Sequence, residues 1–218
     1  MGRSDRQTAE RNRARVVELA ARLFRQHGVD AVSIADVMTA AGLTRGGFYK
    51  HFDSKDALAA EACSLAFAAT AESWRRFAPQ SVNGESAARD LAVHYLTPKP
   101  PDRACPMVSF NQEAAVNKTN KAFGRSYAEG VGALFELFAN ALGSDPDDQE
   151  SRRRNLVLFA SLVGANALCR ALGKDGLASD LSSSVLDSVF SSTGRRGHSS
   201  ATRAARHRTK AASIRIKV

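Results

Sequence analysis

The sequence predicts an all-α fold of about nine helices. Over most of the chain, apolar residues recur at the three- and four-residue spacing of a helix face, and no alternation typical of a β-strand continues for more than a few residues. Glycines, prolines and capping residues divide this pattern into separate segments. The hydrophobic fraction of 44% and the charged fraction of 24% are ordinary for a globular protein.

The first quarter of the chain predicts a short arm followed by three helices. Residues 1–10 are expected to form a flexible arm, and the first helix to run from about Thr8 to His27. Ser33-Ile34-Ala35-Asp36 has the form of a capping box at the start of a short helix. Gly42 breaks that helix, and Thr44 is expected to cap a second short helix that continues through Lys50.

A long helix is expected from the Asp53-Ser54 cap to about Phe77. It is apolar on two sides, which predicts that it connects two modules. One of its two apolar stripes consists of Leu58, Ala62, Leu65 and Ala69, and the other of Cys63, Phe67, Thr70, Trp74 and Phe77. The remaining helices are expected at about residues 85–96, 106–116, 122–142, 150–172 and 177–190.

Charge divides the chain into three parts. The net charge of +9 is distributed as +4 over residues 1–55, −3 over residues 56–194 and +8 over residues 195–218. Basic ends around a mildly acidic body favour a polyanionic partner that contacts the ends. We expect a DNA-binding domain at 1–56, a ligand-binding and dimerisation domain at 57–194, and a basic disordered tail at 195–218.

Several protein classes are disfavoured by composition. No secretory signal is recognised, and no apolar run approaches the roughly 18 residues that span a membrane, so we expect a cytoplasmic protein with no membrane partner. The three widely spaced cysteines indicate neither a disulfide framework nor a zinc site, and no metal or cofactor is expected. Because the chain has no phosphate-binding glycine loop, paired carboxylates or nucleophilic triad that we can place, it is not expected to be an enzyme.

The two short helices have the pattern of a helix-turn-helix. Ile34, Val37 and Met38 would anchor the first helix, and Leu43 and Phe48 would hold the second. The side chains left to face outward carry hydrogen-bond donors and positive charge; they are Thr44, Arg45, Tyr49, Lys50 and His51. Gly46 and Gly47 cost about 1 kcal/mol each in a helix, which favours a close approach of the backbone to another surface.

The segment from Ser33 to Phe52, with its Gly-Phe-Tyr-Lys-His-Phe core, followed by Ser-Lys-Asp-Ala-Leu up to Leu58, resembles the tetracycline-repressor-like (TetR) family. The resemblance covers about the first 60 residues. It implies that Ser33 and Lys55 contact phosphate from helix N-termini, and that Thr44, Arg45 and Gly46 face base edges or nearby phosphates. It also implies that Tyr49 and His51 touch phosphate.

The resemblance further implies a homodimer formed by the last two helices. Small residues that allow a close helix approach lie along one face of the helix at about 150–172; they are Ala160, Gly164, Ala167 and Ala171. The alternative is an ordinary buried helix pair within a monomer. We favour the dimer, because a single helix-turn-helix rarely supplies enough affinity and specificity.

The middle helices are expected to enclose an apolar ligand pocket, although aromatic residues at helical spacing also simply fill cores. The candidate lining residues are Phe67, Trp74, Phe77, Met107, Phe110, Phe123 and Asn166. Cys105 is a further candidate, since a helix N-terminus and the nearby Arg103 would stabilise its thiolate for sensing an oxidant or electrophile. The alternative for Cys105 is a buried, inert thiol.

Together these features predict a ligand- or stress-responsive transcriptional repressor. It would bind a palindromic double-stranded DNA operator as a homodimer and be released by an unknown small-molecule or electrophile inducer. The alternative, suggested by the tail, is a nonspecific or architectural nucleic-acid-binding helical protein. The ratio of specific to nonspecific affinity separates the two.

Overall fold

The structure is a computed structural model that describes residues 3–76, 84–116, 120–145 and 147–194. Within these residues it is entirely helical, which confirms the predicted all-α class. Nine α-helices are present there: α1 Arg3–His27, α2 Ile34–Ala40, α3 Lys55–Arg75, α4 Gly84–Leu96, α5 Pro106–Ser109, α6 Asn111–Val116, α7 Lys121–Ala141, α8 Gln149–Leu172 and α9 Gly176–Gly194. Two short 3-10 helices cover Arg45–Lys50 and Pro101–Arg103.

Helix α1 begins earlier than the sequence indicated. The expected arm at 1–10 is wrong from Arg3 onward, where the chain is already helical. Glu10 accepts a hydrogen bond from Arg6 at 3.0 Å, an i,i+4 ion pair that supports this exposed part of the helix. The core-facing side starts only at Val16 and continues through Phe24. The early start therefore comes from local helix-forming residues and not from burial.

Helix α3 buries one broad face instead of the two predicted stripes. Ser54 caps it by accepting a hydrogen bond from the Ala57 amide at 3.0 Å, as predicted. The predicted stripe through Leu65 and Ala69 is wrong, because Leu65 is 39% exposed and Ala69 is exposed. The residues that are buried are Leu58, Ala59, Ala60, Ala62, Cys63, Ala66, Phe67, Ala71 and Trp74.

The single helix predicted at 106–116 is two helices. The backbone leaves helical geometry at Phe110, with φ −103° and ψ 2°, between α5 and α6. Its buried ring meets the ring of Phe123 edge-on, with 5.7 Å between centroids. Burial of this aromatic pair stabilises the break, which the local sequence pattern does not reveal.

The chain forms two compact units. One contains Met1–Phe77 and Thr97–Phe138, and the other contains Ala78–Leu96 and Ala139–Val218. Helix α3 runs without interruption across the predicted boundary at 56/57. The predicted domains stay a prediction, and the tail at 195–218 lies outside the described residues.

In the second unit, α8 has two different faces. Its inner face places Asn155 and Asn166 in the interior, where they donate hydrogen bonds to the Ser144 hydroxyl at 2.5 Å and the Tyr95 carbonyl at 3.0 Å. Its outer face exposes large apolar side chains; they are Leu156, Val157, Leu168 and Leu172.

Helix α8 is also long and apolar enough, by length and composition, to cross a membrane. This differs from the expectation that no stretch approaches that length, because small residues join its apolar ones and Arg170 is the only charge after Asn155. A core helix of a water-soluble protein passes the same test. The two hydrogen-bonded asparagines on its inner face are those of a helix packed within a protein.

In the first unit, α3 and α7 approach closely at Gly130, where the ring of Phe67 occupies the space that a Cβ atom would take. We therefore expect Gly130→Ala to lower the free energy of unfolding by about 1–3 kcal/mol through overpacking. Gly132→Ala is the matched control, since nothing lies within 4 Å of a Cβ there. Chemical denaturation measures both variants. Equal stabilities would contradict the close contact.

Candidate nucleic-acid interface

Helix α2 starts with the predicted capping box. The Ser33 hydroxyl accepts from the Asp36 amide at 3.1 Å, and the Asp36 carboxylate accepts from the Ser33 amide at 2.8 Å. Hydrogen bonds from the Ser33 side chain, and then from its backbone, hold the pKa of Asp36 below its usual value.

The turn between the two short helices requires Gly42. Its φ of +70° lies in the left-handed region that side chains with a Cβ rarely adopt. The turn is closed by hydrogen bonds from the Gly42 amide to the Thr39 carbonyl and from the Leu43 amide to the Met38 carbonyl, both 2.9 Å. The predicted break at Gly42 is confirmed.

The second short helix is a 3-10 helix over Arg45–Lys50 and not an α-helix beginning at a Thr44 cap. Thr44 has the extended backbone of an N-cap, but its side chain makes no capping hydrogen bond. Two adjacent glycines and a six-residue length give this segment little stability of its own. Its one buried side chain, Phe48, is 0% exposed and holds it to the core.

A stack of side chains joins this 3-10 helix to α1 and α3. The Phe48 ring stacks on Phe52 with 5.4 Å between centroids, and the Arg13 guanidinium carbon lies 4.8 Å from the centroid of Phe52. Arg13 also donates to the Glu61 carboxylate at 2.6 Å. The sequence analysis missed Arg13 and Glu61, because partners separated by 48 residues leave no local signal.

All eight predicted DNA-binding residues lie in this module, and none is buried. Tyr49, 67% exposed, projects from the 3-10 helix edge-on to Phe48. His51 and Lys55 are half-buried, and the Lys55 ammonium donates to the Asp30 carbonyl at 3.4 Å. The exposed members of the set are Ser33, Thr44, Arg45, Gly46, Tyr49 and Lys50.

The structure gives no internal reason for glycine at position 46. A Cβ atom there would meet nothing within 4 Å, and φ is not positive. At Gly47 a Cβ atom would make only ordinary contacts, at 3.6 Å to Met38 and 3.8 Å to Thr44. The open space in front of Gly46 fits the prediction of a close approach by another surface.

The predicted ligand residues are packed as core. Phe67, Trp74, Met107, Phe110 and Phe123 are all buried in the first unit. Asn166 belongs to the second unit, and Phe77 lies outside the described residues.

Two open grooves among the described residues are lined by other side chains. One, of about 420 Å³, is lined by Val17, Ala60, Glu61, Ser64, Leu65, Ala68 and Ser126. The other, of about 350 Å³, is lined by Arg153, Arg154, Val157 and Leu158.

The three cysteines form no disulfide and differ in their surroundings. Burial raises the pKa of Cys63 to about 12, which keeps that thiol protonated at neutral pH. Cys105 is 8% exposed and precedes a helix of only four residues, so the dipole expected to act on it is short. Lys99 and Arg25 lie near it, and burial lowers the pKa of both. The Cys105 sulfur opposes this shift at both groups, and at Arg25 the Asp102 carboxylate opposes it more strongly.

Comparison with known proteins locates the similarity in this module. Residues 16–62 match the family model for bacterial regulatory proteins of the tetR family. The transcriptional regulator AcrR of Shigella flexneri is 40% identical over 65 residues, which cover 30% of each chain. The transcriptional repressor KstR2 of Rhodococcus jostii is 39% identical over 49 residues, covering 22% of this chain and 24% of that protein. The chain thus matches less than a third of the length of these curated relatives.

Solved structures share the fold over most of the chain. A TetR-family regulator from Cytophaga hutchinsonii superimposes with a TM-score of 0.72 at 18% identity, over 84% of this chain and 94% of that one. A TetR regulator from Chloroflexus aurantiacus gives 0.69 at 24% identity, over 83% and 95%. The family model over residues 16–62 and the fold shared with these structures agree with the resemblance seen in the sequence: the N-terminal module matches that of the tetR family of bacterial regulatory proteins, and the chain as a whole has the fold of these solved regulators.

Proposed function

We propose that the protein is a transcriptional repressor that binds a palindromic DNA operator as a homodimer and leaves it when a small molecule or electrophile is present. One observation carries the DNA-binding part. The 3-10 helix Arg45–Lys50 is fixed from inside by Phe48, while its outer side presents donors around a backbone left open at Gly46. Hydrogen-bond donors held at fixed positions, on a backbone that can come close to DNA, suit contacts with phosphates and base edges in a DNA groove.

The outer face of α8 supports a homodimer. Val157 is 65% exposed and Leu168 is 51% exposed, and the small residues Ala160 and Ala171 are exposed between and beyond them. A continuous apolar face of this kind is typical of a protein–protein interface. A second copy of the same helix covers it symmetrically and supplies the second DNA-binding module that a palindrome requires.

The inducer is proposed to act on the packed first unit. Phe67, Met107, Phe110 and Phe123 fill the space expected for a pocket, so a ligand must displace packed side chains to enter. Cys105 lies in the same unit beside Lys99 and Arg25, and positive neighbours favour the reactive thiolate form of a cysteine. A noncovalent ligand and an electrophile therefore remain the two classes to test.

The DNA contacts are tested first on an operator selected from random DNA by the wild-type protein. Gly46→Ala adds one methyl group in open space, so we expect unchanged folding stability but at least tenfold weaker operator binding, about 1.4 kcal/mol. Tyr49→Ala should weaken binding to every sequence and reduce the salt dependence, whereas Arg45→Ala should relax preference at one operator position. Fluorescence anisotropy at several salt concentrations measures all three.

Gly132→Ala is the control for the methyl group, because its site is equally open but lies on α7. If Gly46→Ala and Arg45→Ala bind the operator as tightly and selectively as the wild type, the helix-turn-helix does not read DNA. Equal affinity of the wild type for the selected operator and for unrelated DNA would favour a nonspecific architectural protein instead.

The dimer is tested by a charge on the α8 face. Leu168→Glu is expected to give a monomer that loses operator binding, because dimerisation would bury the new carboxylate without a partner. Val116→Glu is the matched control, since Val116 on α6 is 72% exposed. Sedimentation velocity measures both. A dimer that survives Leu168→Glu and the tighter packing of Gly164→Leu would place the interface elsewhere.

The electrophile response is tested with N-ethylmaleimide. We expect the reagent to alkylate Cys105 faster than Cys63, because burial keeps the Cys63 thiol protonated. Alkylation should release DNA from the wild type. Cys105→Ser should stay bound, and Cys63→Ser should respond as the wild type does. Mass spectrometry and anisotropy follow the two events. Equal release from Cys105→Ser would favour noncovalent binding by the inducer.

A further inference from the structure

We infer that Asn120 is a positioning residue for DNA binding, which ties the start of α7 to the start of α3. This inference rests on the proposed function. Asn120 is 6% exposed and stands directly before α7. Its side-chain oxygen accepts a hydrogen bond from the Phe123 amide at 2.9 Å, and its side-chain nitrogen donates to the Asp56 carbonyl at 3.1 Å. One buried amide therefore joins segments 64 residues apart.

The α3 end of this link lies at the DNA-binding module. Asp56 is in the first turn of α3, next to Lys55 and the capping residue Ser54. The chain reaches this turn directly from Phe52, which is buried against Phe48 of the 3-10 helix. A displacement of the Asp56 carbonyl would therefore move Lys55 and, through the short packed connection at Phe52, the 3-10 helix Arg45–Lys50.

The α7 end lies at the aromatic core of the first unit. Phe123, whose amide Asn120 binds, packs edge-on against Phe110 at the break between α5 and α6. Tyr127, one turn further along α7, donates to the Met107 carbonyl at 2.7 Å. Any ligand or modification that shifts α5 therefore acts on the first turn of α7 and, through Asn120, on the first turn of α3.

Only asparagine serves both ends at this position. The oxygen caps α7 while the nitrogen reaches the Asp56 carbonyl. Aspartate at position 120 would still cap α7, but it would place a second hydrogen-bond acceptor opposite the Asp56 carbonyl. Serine would also cap α7, but its side chain is too short to donate to that carbonyl. These two substitutions therefore break the link and leave the α7 cap in place.

The experiment compares full-length wild type, Asn120→Asp and Asn120→Ser. Asn155→Asp is the control, because Asn155 is equally buried and donates its side-chain amide in the second unit. We expect faster amide hydrogen exchange over residues 52–60 in both Asn120 variants and about tenfold weaker binding to a 40-base-pair mixed-sequence duplex. Melting temperatures should fall no further than in Asn155→Asp.

A double-mutant cycle tests the connection to the core. Phe110→Leu should change the DNA dissociation constant in the wild-type background but not beside Asn120→Asp. Additive effects, unchanged exchange over residues 52–60, or loss of folding in both Asn120 variants would overturn the inference and leave Asn120 a structural residue. If the wild type binds no DNA, the proposed function fails, while hydrogen exchange still decides whether the link exists.

Discussion

The stack of Arg13, Phe52 and Phe48 is the interaction on which the DNA-binding module depends. A six-residue 3-10 helix with two glycines does not hold its shape alone, since short helices are marginal and glycine weakens them further. Phe48 attaches it to the core, Phe52 continues the stack, and Arg13 closes it from α1 while bound to Glu61 of α3. Because all of these contacts use the inner side, the outer side remains available for DNA.

Helix α8 meets a different constraint, because polar groups on one side and apolar groups on the other suit neither water nor lipid. Asn155 and Asn166 satisfy their donors inside the second unit. Val157 and Leu168 face outward, where water solvates them poorly. The proposed second copy would resolve the conflict without a membrane, since it would cover the apolar face and leave the hydrogen-bonded face unchanged.

Local signals predicted what local interactions determine. The capping box at Ser33, the turn at Gly42 and the cap at Ser54 were read from a few neighbouring residues, and the structure has all three. The helical start at Arg3 and the break at Phe110 were missed. The first reflects helix propensity in residues that looked merely polar, and the second reflects burial of a ring against Phe123, far away in the sequence.

The same distinction between local and distant interactions explains which parts of the predicted site could be read from the sequence. Six of the eight predicted DNA-binding residues are exposed. Helix periodicity predicted this for the second short helix, because the positions that do not face the core face outward. The pocket residues could not be separated from core in this way, since both are apolar and both face inward. Spacing identified Phe67 as inward-facing, but not that its ring lies directly against Gly130.

Dense packing in the first unit also bears on how a ligand response would arise. Ligand pockets typically need about 300 Å³ or more, and a close-packed core yields such a volume only if its helices separate. In this unit Phe67 lies on α3, Phe110 at the break between α5 and α6, and Phe123 on α7. Helix α3 begins at the proposed DNA-binding module. Binding energy would therefore be spent on the same displacement that moves the start of α3, so entry of the ligand and loss of DNA geometry would be one event.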